Sequence, residues 1–352
     1  MLEVWSGDDP LGEVETYLRD AGFFAGGAHG LVADVFLGYG SSRTLRRAPW
    51  PDPPEPCRLP LAAARIRRAD ERAPAPGACR IGEWRRSWDD EGYAAAIEAV
   101  QEAIGRGDVY QVNLVQHLHA PFSGDPAGLA QRLVPLRPLH GDPLVGAGWA
   151  VISASPELFL ARRGGRVWTA PVKGTRPAGV QGELRSAEKD VAEHVMIVDL
   201  ERNDLARVCE PGTVRWPDLM TERELAGVTH MVTTVEGRLR PHVELAELLR
   251  ALFPGGSVTG APKIAALDHI AAFEPLGRGA SMGALGRIHP NGDLDLALTI
   301  RTFAVAEGEV HLWVGGGIVW DSDPRAEIEE SWTKARPLLA AVGSRVPEAV
   351  VS

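Results

Sequence analysis

Cysteine is scarce in this 352-residue chain: Cys57, Cys79 and Cys209 are three scattered thiols, odd in number and without metal-ligand spacing. That excludes a disulfide framework and a thiolate zinc site, and it points to a reducing, cytoplasmic setting. Lysine is nearly as scarce, with four residues against 37 basic side chains in total. Where only positive charge is needed, the chain uses arginine. No stretch of 18 apolar residues occurs, so no membrane span is expected. The opening "MLEVWSGDDPLGEVETYL" is acidic and lacks the basic end and apolar block of a signal peptide. A net charge of −10 argues against nucleic acid or an anionic membrane as partner. It leaves room for a small anionic ligand held by a few arginines and backbone N–H groups. What is present, 45% apolar and 24% charged residues, is ordinary for a soluble globular protein.

Residues 1–77 read as a short N-terminal segment completing the sheets, with a Pro-, Ala- and Arg-rich surface crossing over 48–77. The main body follows over 78–342, and 343–352 is a tail. No internal repeat occurs. In "WDDEGYAAAIEAVQEAIGRGD", Asp89 and Asp90 are N-cap candidates, and Tyr93, Ile97, Val100 and Ile104 recur at helical spacing until Gly105 and Gly107. "DVYQVNLVQHLHA" alternates as a strand, with Gln111, Asn113 and His117 on a mostly polar face and Tyr110, Val112, Leu114 and Leu118 on an apolar one. Further strand-like runs cover 148–154, 157–163, 166–172, 230–239, 281–289, 294–306 and 309–314. "HPNGDLD" is a hairpin signal through Asn291-Gly292. Helical patterns occupy 186–202, 243–253, 262–273 and 324–341. Strands following one another, with long helices inserted, predict an α+β fold with large antiparallel sheets.

Two predicted helices carry acids three residues apart: Asp190 and Glu193 in one, Glu327 and Glu330 in the other. That spacing puts each pair on one helix face, and two such faces would make an all-oxygen site for a hard cation. Equally, Asp323 and Pro324 are a good N-cap and first helical residue, and Glu327 suits the helix dipole. "FPGGSVTGAPK" is not a phosphate-binding P-loop, because Ala261 and Pro262 stand where Gly-Lys-Ser/Thr is needed. It remains a Gly/Ser/Thr loop feeding a helix, with N–H groups able to hold an anion. Gly315, Gly316 and Gly317 end a strand and permit close approach of a ligand. Arg301 in "LALTIRTF" either pairs with a buried acid or binds a carboxylate. His230 begins a strand, as a structural or a catalytic residue.

Taken together, "GDVYQVNL", "SPELF", "PVKGTRP", "EKDVAEHVMIVDLERNDLARV", "VTHMVTTVEG", "GGSVTGAPK", "IRTF" and "GGGIVWDSDPRAEIEESWTKA" run in an order that resembles the chorismate-utilising enzymes. This family includes anthranilate, aminodeoxychorismate, isochorismate and salicylate synthases. The resemblance covers roughly residues 88–340. It implies two large, mostly antiparallel sheets packed face to face, helices outside, and an active site in the cleft between them. Residues 78–342 would be the chorismate-binding catalytic domain. It also implies Mg²⁺ held mainly by Glu193 and Glu330, with Asp190 and Glu327 close by, binding the ring carboxylate of chorismate. Arg301 and the backbone at Gly315, Gly316 and Gly317 would take the enolpyruvyl carboxylate. His230, Gly174, Thr175, Gln111, Thr259 and Ser281 would line the substrate.

Two positions bear on the branch. Water-adding members have a lysine base where this chain has Gln111, and an amide takes no proton near neutral pH. Within Pro-x-x-Gly-Thr, anthranilate synthases typically have Ala and aminodeoxychorismate synthases Lys, and here the residue is Lys173. By that resemblance Lys173 is a covalent nucleophile, kept neutral by desolvation and nearby positive charge, and Glu157 the acid that protonates the leaving hydroxyl. The expectation is Mg²⁺-dependent amination of chorismate toward 4-aminobenzoate and folate. The alternatives are anthranilate synthesis or a catalytically inactive chorismate-binding subunit. No amidotransferase motif occurs, so ammonia is expected from a separate glutaminase subunit. Ser281 and Arg287 depart from the family, where both positions are usually aromatic. The usual tryptophan-binding segment is not recognisable in residues 1–60, and tryptophan inhibition is not expected.

Overall fold

The computed structural model describes residues 1–71, 75–177, 188–225 and 228–345, with backbone only at 173–177, 188–190, 224–225 and 228–230. Among the described residues there are seven α-helices. They are α1 (Pro10–Asp20), α2 (Asp90–Gly105), α3 (Pro126–Leu133), α4 (Glu188–Ala206), α5 (Leu245–Leu252), α6 (Lys263–Phe273) and α7 (Pro324–Ala341). Local chemistry sets several of their ends. Asp89 caps α2 through Gly92 N at 2.8 Å, and Asp323 caps α7 through Ala326 N at 2.9 Å, with Pro324 as its first residue. Tyr93, Ile97, Val100 and Ala103 form the buried stripe of α2. Full burial of each larger apolar side chain is worth about 1.5–3 kcal/mol, which the isolated helix would lack. No helix of the described residues is long and apolar enough to cross a membrane.

The strands form two antiparallel sheets, giving the mixed α+β class. The ten-stranded sheet runs Leu2–Val4, Ala62–Arg68, Leu31–Leu37, Ala284–Ile288, Leu294–Leu298, Leu158–Arg163, Arg166–Ala170, Val228–Arg238 and Val172–Pro177, with Arg215–Leu225 also paired to Val228–Arg238. The eight-stranded sheet runs Gly260–Ala261, Gln111–Gly124, Glu309–Ile318, Thr302–Ala306, Trp149–Ser153 and Leu144–Gly146. Cys79–Ile81 and Arg85–Arg86 also pair with Gln111–Gly124. One apolar core joins side chains of both sheets, such as Val35, Leu285 and Leu296 with Leu114, Val151 and Ile318. A second core lies between the eight-stranded sheet and α3 and α7, around Ile152, Phe303, Leu312, Trp332 and Leu338.

Several sequence expectations change here. The run 294–306 is two strands, Leu294–Leu298 and Thr302–Ala306, and they belong to different sheets. The chain crosses between sheets at 299–301, where Arg301 takes φ 50°. Arg301 is therefore a crossover residue and not part of a strand. The stretch 48–77 is not wholly a surface crossing, because Ala62–Arg68 is a sheet strand with Ala62, Ala63 and Ala64 fully buried. Its arginines Arg65 and Arg67 are held by Asp34 of the neighbouring strand. The first part of the polar face of Gln111–Gly124 is buried as well as the apolar one: Gln111, Asn113 and His117 are all inside, whereas His119 is half-buried and Pro121 and Ser123 are exposed. Conversely Tyr110, placed on the apolar face, is 70% exposed and precedes the strand. The strand Arg215–Leu225 and helix α3 were not anticipated.

Candidate active site

The strand Glu309–Ile318 lies antiparallel to Gln111–Gly124 along ten residue pairs, placing Gly315, Gly316 and Gly317 opposite Val115, Leu114 and Asn113. Gly315 is required by what crowds it, because a Cβ there would stand 1.9 Å from Leu114 O. A Cβ on Gly317 would stand 2.0 Å from Gln111 Nε2 and 3.0 Å from Glu193 Oε1. A Cβ on Gly316 would meet Lys334 Nζ at 3.2 Å, Glu327 Oε2 at 3.6 Å and Glu330 Oε1 at 3.7 Å. Adjacent glycines thus touch the acids of two different helices, Glu193 of α4 and Glu327 and Glu330 of α7. Sequence spacing put each pair on a helix face, and the fold brings both helices to one glycine strand.

Within this cluster Gln111 Nε2 donates to Glu193 Oε1 at 2.9 Å. Gln111 is fully buried, and its Oε1 has no hydrogen-bond partner among the described residues. Ser322 Oγ donates to Glu327 Oε1 at 2.6 Å. Lys334 Nζ sits 2.8 Å from Glu330 Oε1 and donates to Gly315 O at 2.9 Å. Among the described residues no three His, Cys, Asp or Glu side chains gather as a ready ligand set. Asp190, the remaining acid expected there, lies in the first turn of α4 with its side chain outside the described residues. Even so, the donors suit a hard divalent ion, which takes one or two carboxylates and keeps several waters. Glu193 and Glu330 supply oxygen only, beside the adjacent glycines Gly317 and Gly316.

A second group lies where the chain passes between the sheets. Glu157 is buried, and Ser257 Oγ donates to its Oε1 at 2.8 Å. Its backbone is held by Ser155, whose Oγ accepts from Glu157 N at 3.2 Å. Burial holds the Arg301 guanidinium below its usual pKa, opposed by the Glu157 carboxylate. Glu157 therefore acts electrostatically on Arg301, which is half-buried. Ser281 and Thr299 are fully buried, and neither hydroxyl has a hydrogen-bond partner among the described residues. Thr259 donates its hydroxyl to Gly255 O at 2.9 Å, fastening the Gly/Ser/Thr loop. Arg287 pairs with Asp34 at 3.4 Å and with Asp142.

The strand Val172–Pro177 carries Lys173, Gly174 and Thr175, and its register sets Lys173 opposite Met231 and Thr175 opposite His230. The side chains of Lys173, Thr175 and His230 lie outside the described residues. Two features of the site region escaped the sequence reading. One is the buried pair Glu274–Arg278, 2.7 Å apart, for which the i, i+4 spacing was the available signal. Arg278 also donates to Asn113 O at 2.6 Å and Val258 O at 3.0 Å, and Glu274 accepts from Val115 N at 3.0 Å. It thus ties Gln111–Gly124 to the Gly/Ser/Thr loop. The other is Thr299, hidden inside a run that looked like one strand. A separate surface cavity of about 320 Å³, lined by Arg202, Glu210 and Trp216 among others, lies beside the C-terminal end of α4.

Two antiparallel sheets sharing one core, with helix-borne carboxylates meeting a glycine strand, define an α+β ligand-binding architecture. The sequence matches the chorismate binding enzyme family over residues 20–340, and the chain belongs to that family. It is 40% identical over 304 residues to anthranilate synthase component 1 of Streptomyces coelicolor, covering 79% of this chain and 59% of that protein. It is 41% identical over 266 residues to aminodeoxychorismate synthase component 1 of Klebsiella aerogenes, covering 73% of this chain and 59% of that protein. Among solved structures, anthranilate synthase component I from Streptococcus pneumoniae superposes with a TM-score of 0.73 at 26% identity, covering 88% of this chain and 80% of that one. The chain spans 59% of the length of each of these two curated relatives.

Proposed function

We propose that the chain aminates chorismate at C4, giving 4-amino-4-deoxychorismate through a covalent intermediate on Lys173. The observation that carries this reading is Lys173 itself, a rare lysine in "PVKGT" on the strand Val172–Pro177. The names of the relatives divide between two aminations and do not choose. In the proposed sequence the neutral Lys173 amine forms a bond to C2 of the ring. Both ring double bonds shift toward C4 and the C4–O bond breaks, with Glu157 giving the proton that lets the hydroxyl leave as water. Ammonia then bonds to C4, both double bonds shift back, and the lysine amine leaves from C2. The proton shed by the new C4 amine returns to Glu157.

Gln111 supports amination over hydration, since its amide, donating to Glu193, cannot act as the base that activates water. A magnesium ion held by Glu193 and Glu330, with Asp190 and Glu327 near, would neutralise the ring carboxylate when bound. Arg301 and the backbone at Gly315 to Gly317 would orient the enolpyruvyl carboxylate, and His230 and Thr175, opposite each other in register, would border the ring. Ammonia would come from a separate glutaminase subunit.

The test is the product formed from chorismate, magnesium chloride and ammonium at alkaline pH, identified by chromatography and mass, beside Lys173→Ala. Aminodeoxychorismate from the wild type and its loss in the variant are expected. Anthranilate would transfer the chain to the second reading, which the Streptomyces relative favours. Chorismate binding without turnover would leave a binding subunit. Glutamine should support turnover only when a glutaminase subunit is added.

A further inference from the structure

One buried acid behind the Gly/Ser/Thr loop has no part in the steps above. Glu201 of α4 is 7% exposed, and its Oε2 has no hydrogen-bond partner among the described residues. Its carboxyl accepts a hydrogen bond from Thr169, a buried residue of the strand Arg166–Ala170. Asp204, three residues further along α4, is satisfied by Lys263 Nζ, which also donates to Leu252 O at 2.8 Å. Glu201 therefore stands among partnered groups with one oxygen left over. A polar atom at that depth costs stability unless something small reaches it. Glu201 lines a cavity of about 10 Å³, together with Phe159, Thr169, Asp204, Gly255 and Gly256 among others. A volume of that size takes about one water molecule.

Two walls of the cavity lead to the candidate site. Gly256 immediately precedes Ser257, whose Oγ donates to Glu157 Oε1 at 2.8 Å, and Phe159 follows Glu157 by two residues. The turn between them is pinned, because Thr259 Oγ1 donates to Gly255 O at 2.9 Å and Thr259 N to Gly256 O at 3.2 Å. Across it the Glu157 charge acts on Glu201. Burial raises Glu201 to a pKa of about 8, with Glu157 and Asp204 adding to the rise and Thr169 and Lys263 opposing it. Beyond these, Arg207 acts on Asp204, and Arg301 stands on the Glu157 side. Glu201 thus carries a proton at neutral pH.

We infer that Glu201 is a positioning residue for Glu157, the two carboxyls sharing a proton through one water in the cavity and the Ser257 hydroxyl. When Glu157 has lost its proton, the Glu201 O–H gives one to the water, and the water gives one to Ser257 Oγ. The Ser257 hydroxyl then gives its own proton to Glu157 Oε1. Glu201 is left as the anion, and the same transfers in reverse restore it. The last link is in place, since Ser257 already donates to Glu157. Two coupled acids keep Glu157 in its proton-giving form to higher pH than a lone carboxyl would. The inference rests on Glu157 being the acid of the proposed function.

The test is kcat with chorismate and ammonium from about pH 6 to 10, taken as the ratio of variant to wild type so that the titration of ammonia cancels. Glu201→Gln should move the alkaline fall of kcat about one pH unit lower, a loss of about tenfold on that limb. Its calorimetric affinity for chorismate should equal that of the wild type. Ser257→Ala should move the limb the same way. The Glu201→Gln/Ser257→Ala pair should lose no more than Ser257→Ala alone, because both changes cut one path. A ratio that stays flat with pH in Glu201→Gln overturns the inference, as do losses that add in the pair. Should Glu201→Gln fail to fold, an unmoved limb in Ser257→Ala overturns it equally. Full turnover in Glu157→Gln would remove the acid and sink both this inference and the proposed role of Glu157. Lost turnover in Glu157→Gln beside a flat Glu201→Gln ratio sinks the inference alone. Anthranilate as product, with the limb moved, would sink the C4 amination and leave the shared proton standing. A wild type that does not turn over chorismate would overturn both.

Discussion

Glu274–Arg278 and Glu330–Lys334 are the same device in sequence, a glutamate four residues before a cation, yet the fold uses them oppositely. The first pair is sealed in, with side chains 2% and 1% exposed, and each ion makes further bonds to the backbone. Arg278 also lies 4.5 Å from the ring of Tyr39. The second pair is 53% and 40% exposed and rests on the glycine strand. A buried pair whose carboxylate accepts three hydrogen bonds cannot be rearranged without leaving a charge stranded. An open pair can exchange partners with little change in energy. Near this site, rigidity is therefore assigned to Glu274–Arg278, and the freedom to receive a ligand to Glu330–Lys334.

The largest test of that contrast is Arg278→Met, which strands Glu274 in the core. Its urea unfolding should lose about 3–5 kcal/mol, and a loss below about 1 kcal/mol would mean the pair is not structural. Acid should expose a third kind of buried polar group, the neutral histidines His117 and His311, whose rings meet at 3.1 Å. Burial lowers His117 to a pKa of about 3 and His311 to about 4. Unfolded histidines take up protons below about pH 6.5 and these do not, so the stability present above that pH should fall as pH drops toward 3. The loss should be on the order of a few kcal/mol and smaller in His117→Asn, measured by unfolding at pH 7 and pH 4.5.

At the alkaline end, burial raises Glu201 to a pKa of about 8. A raised carboxyl stabilises below its unfolded pKa near 4.5 and loses that contribution as pH rises through about 8. Glu201→Gln should therefore gain on the wild type by about 1 kcal/mol per pH unit between about pH 4.5 and 8 and level off above that, and parallel stability curves from pH 5 to 8 would refute it. Smallest of all, Lys334→Met should change stability by less than about 1 kcal/mol. A change as large as that of Arg278→Met would erase the contrast between the two pairs.

The legible parts were those set by neighbours in the chain. Asp323 and Pro324 announced the start of α7, the three-residue spacing announced its two acids, and Gly292, at φ 82°, made the hairpin turn. The alternation of 294–306 was real but misleading, because it continues through a crossover between sheets that no local pattern marks. The alternation of Gln111–Gly124 implied one polar face, and from Gln111 to Leu118 both faces proved buried. Packing on both sides overrides a pattern that speaks of one side only.

Local spacing and capping in the sequence determined which helices form, which acids share a face and which glycines end a strand, because these depend on residues within a few positions. Only tertiary structure decided that Glu193 and Glu330, far apart in the chain, reach adjacent glycines. The same holds for Glu274 and Arg278, shut away from water, and for Thr299 and Ser281, buried with hydroxyls that have no partner among the described residues. Burial and proximity come from how the two sheets close on each other, and no local stretch of the chain contains that information.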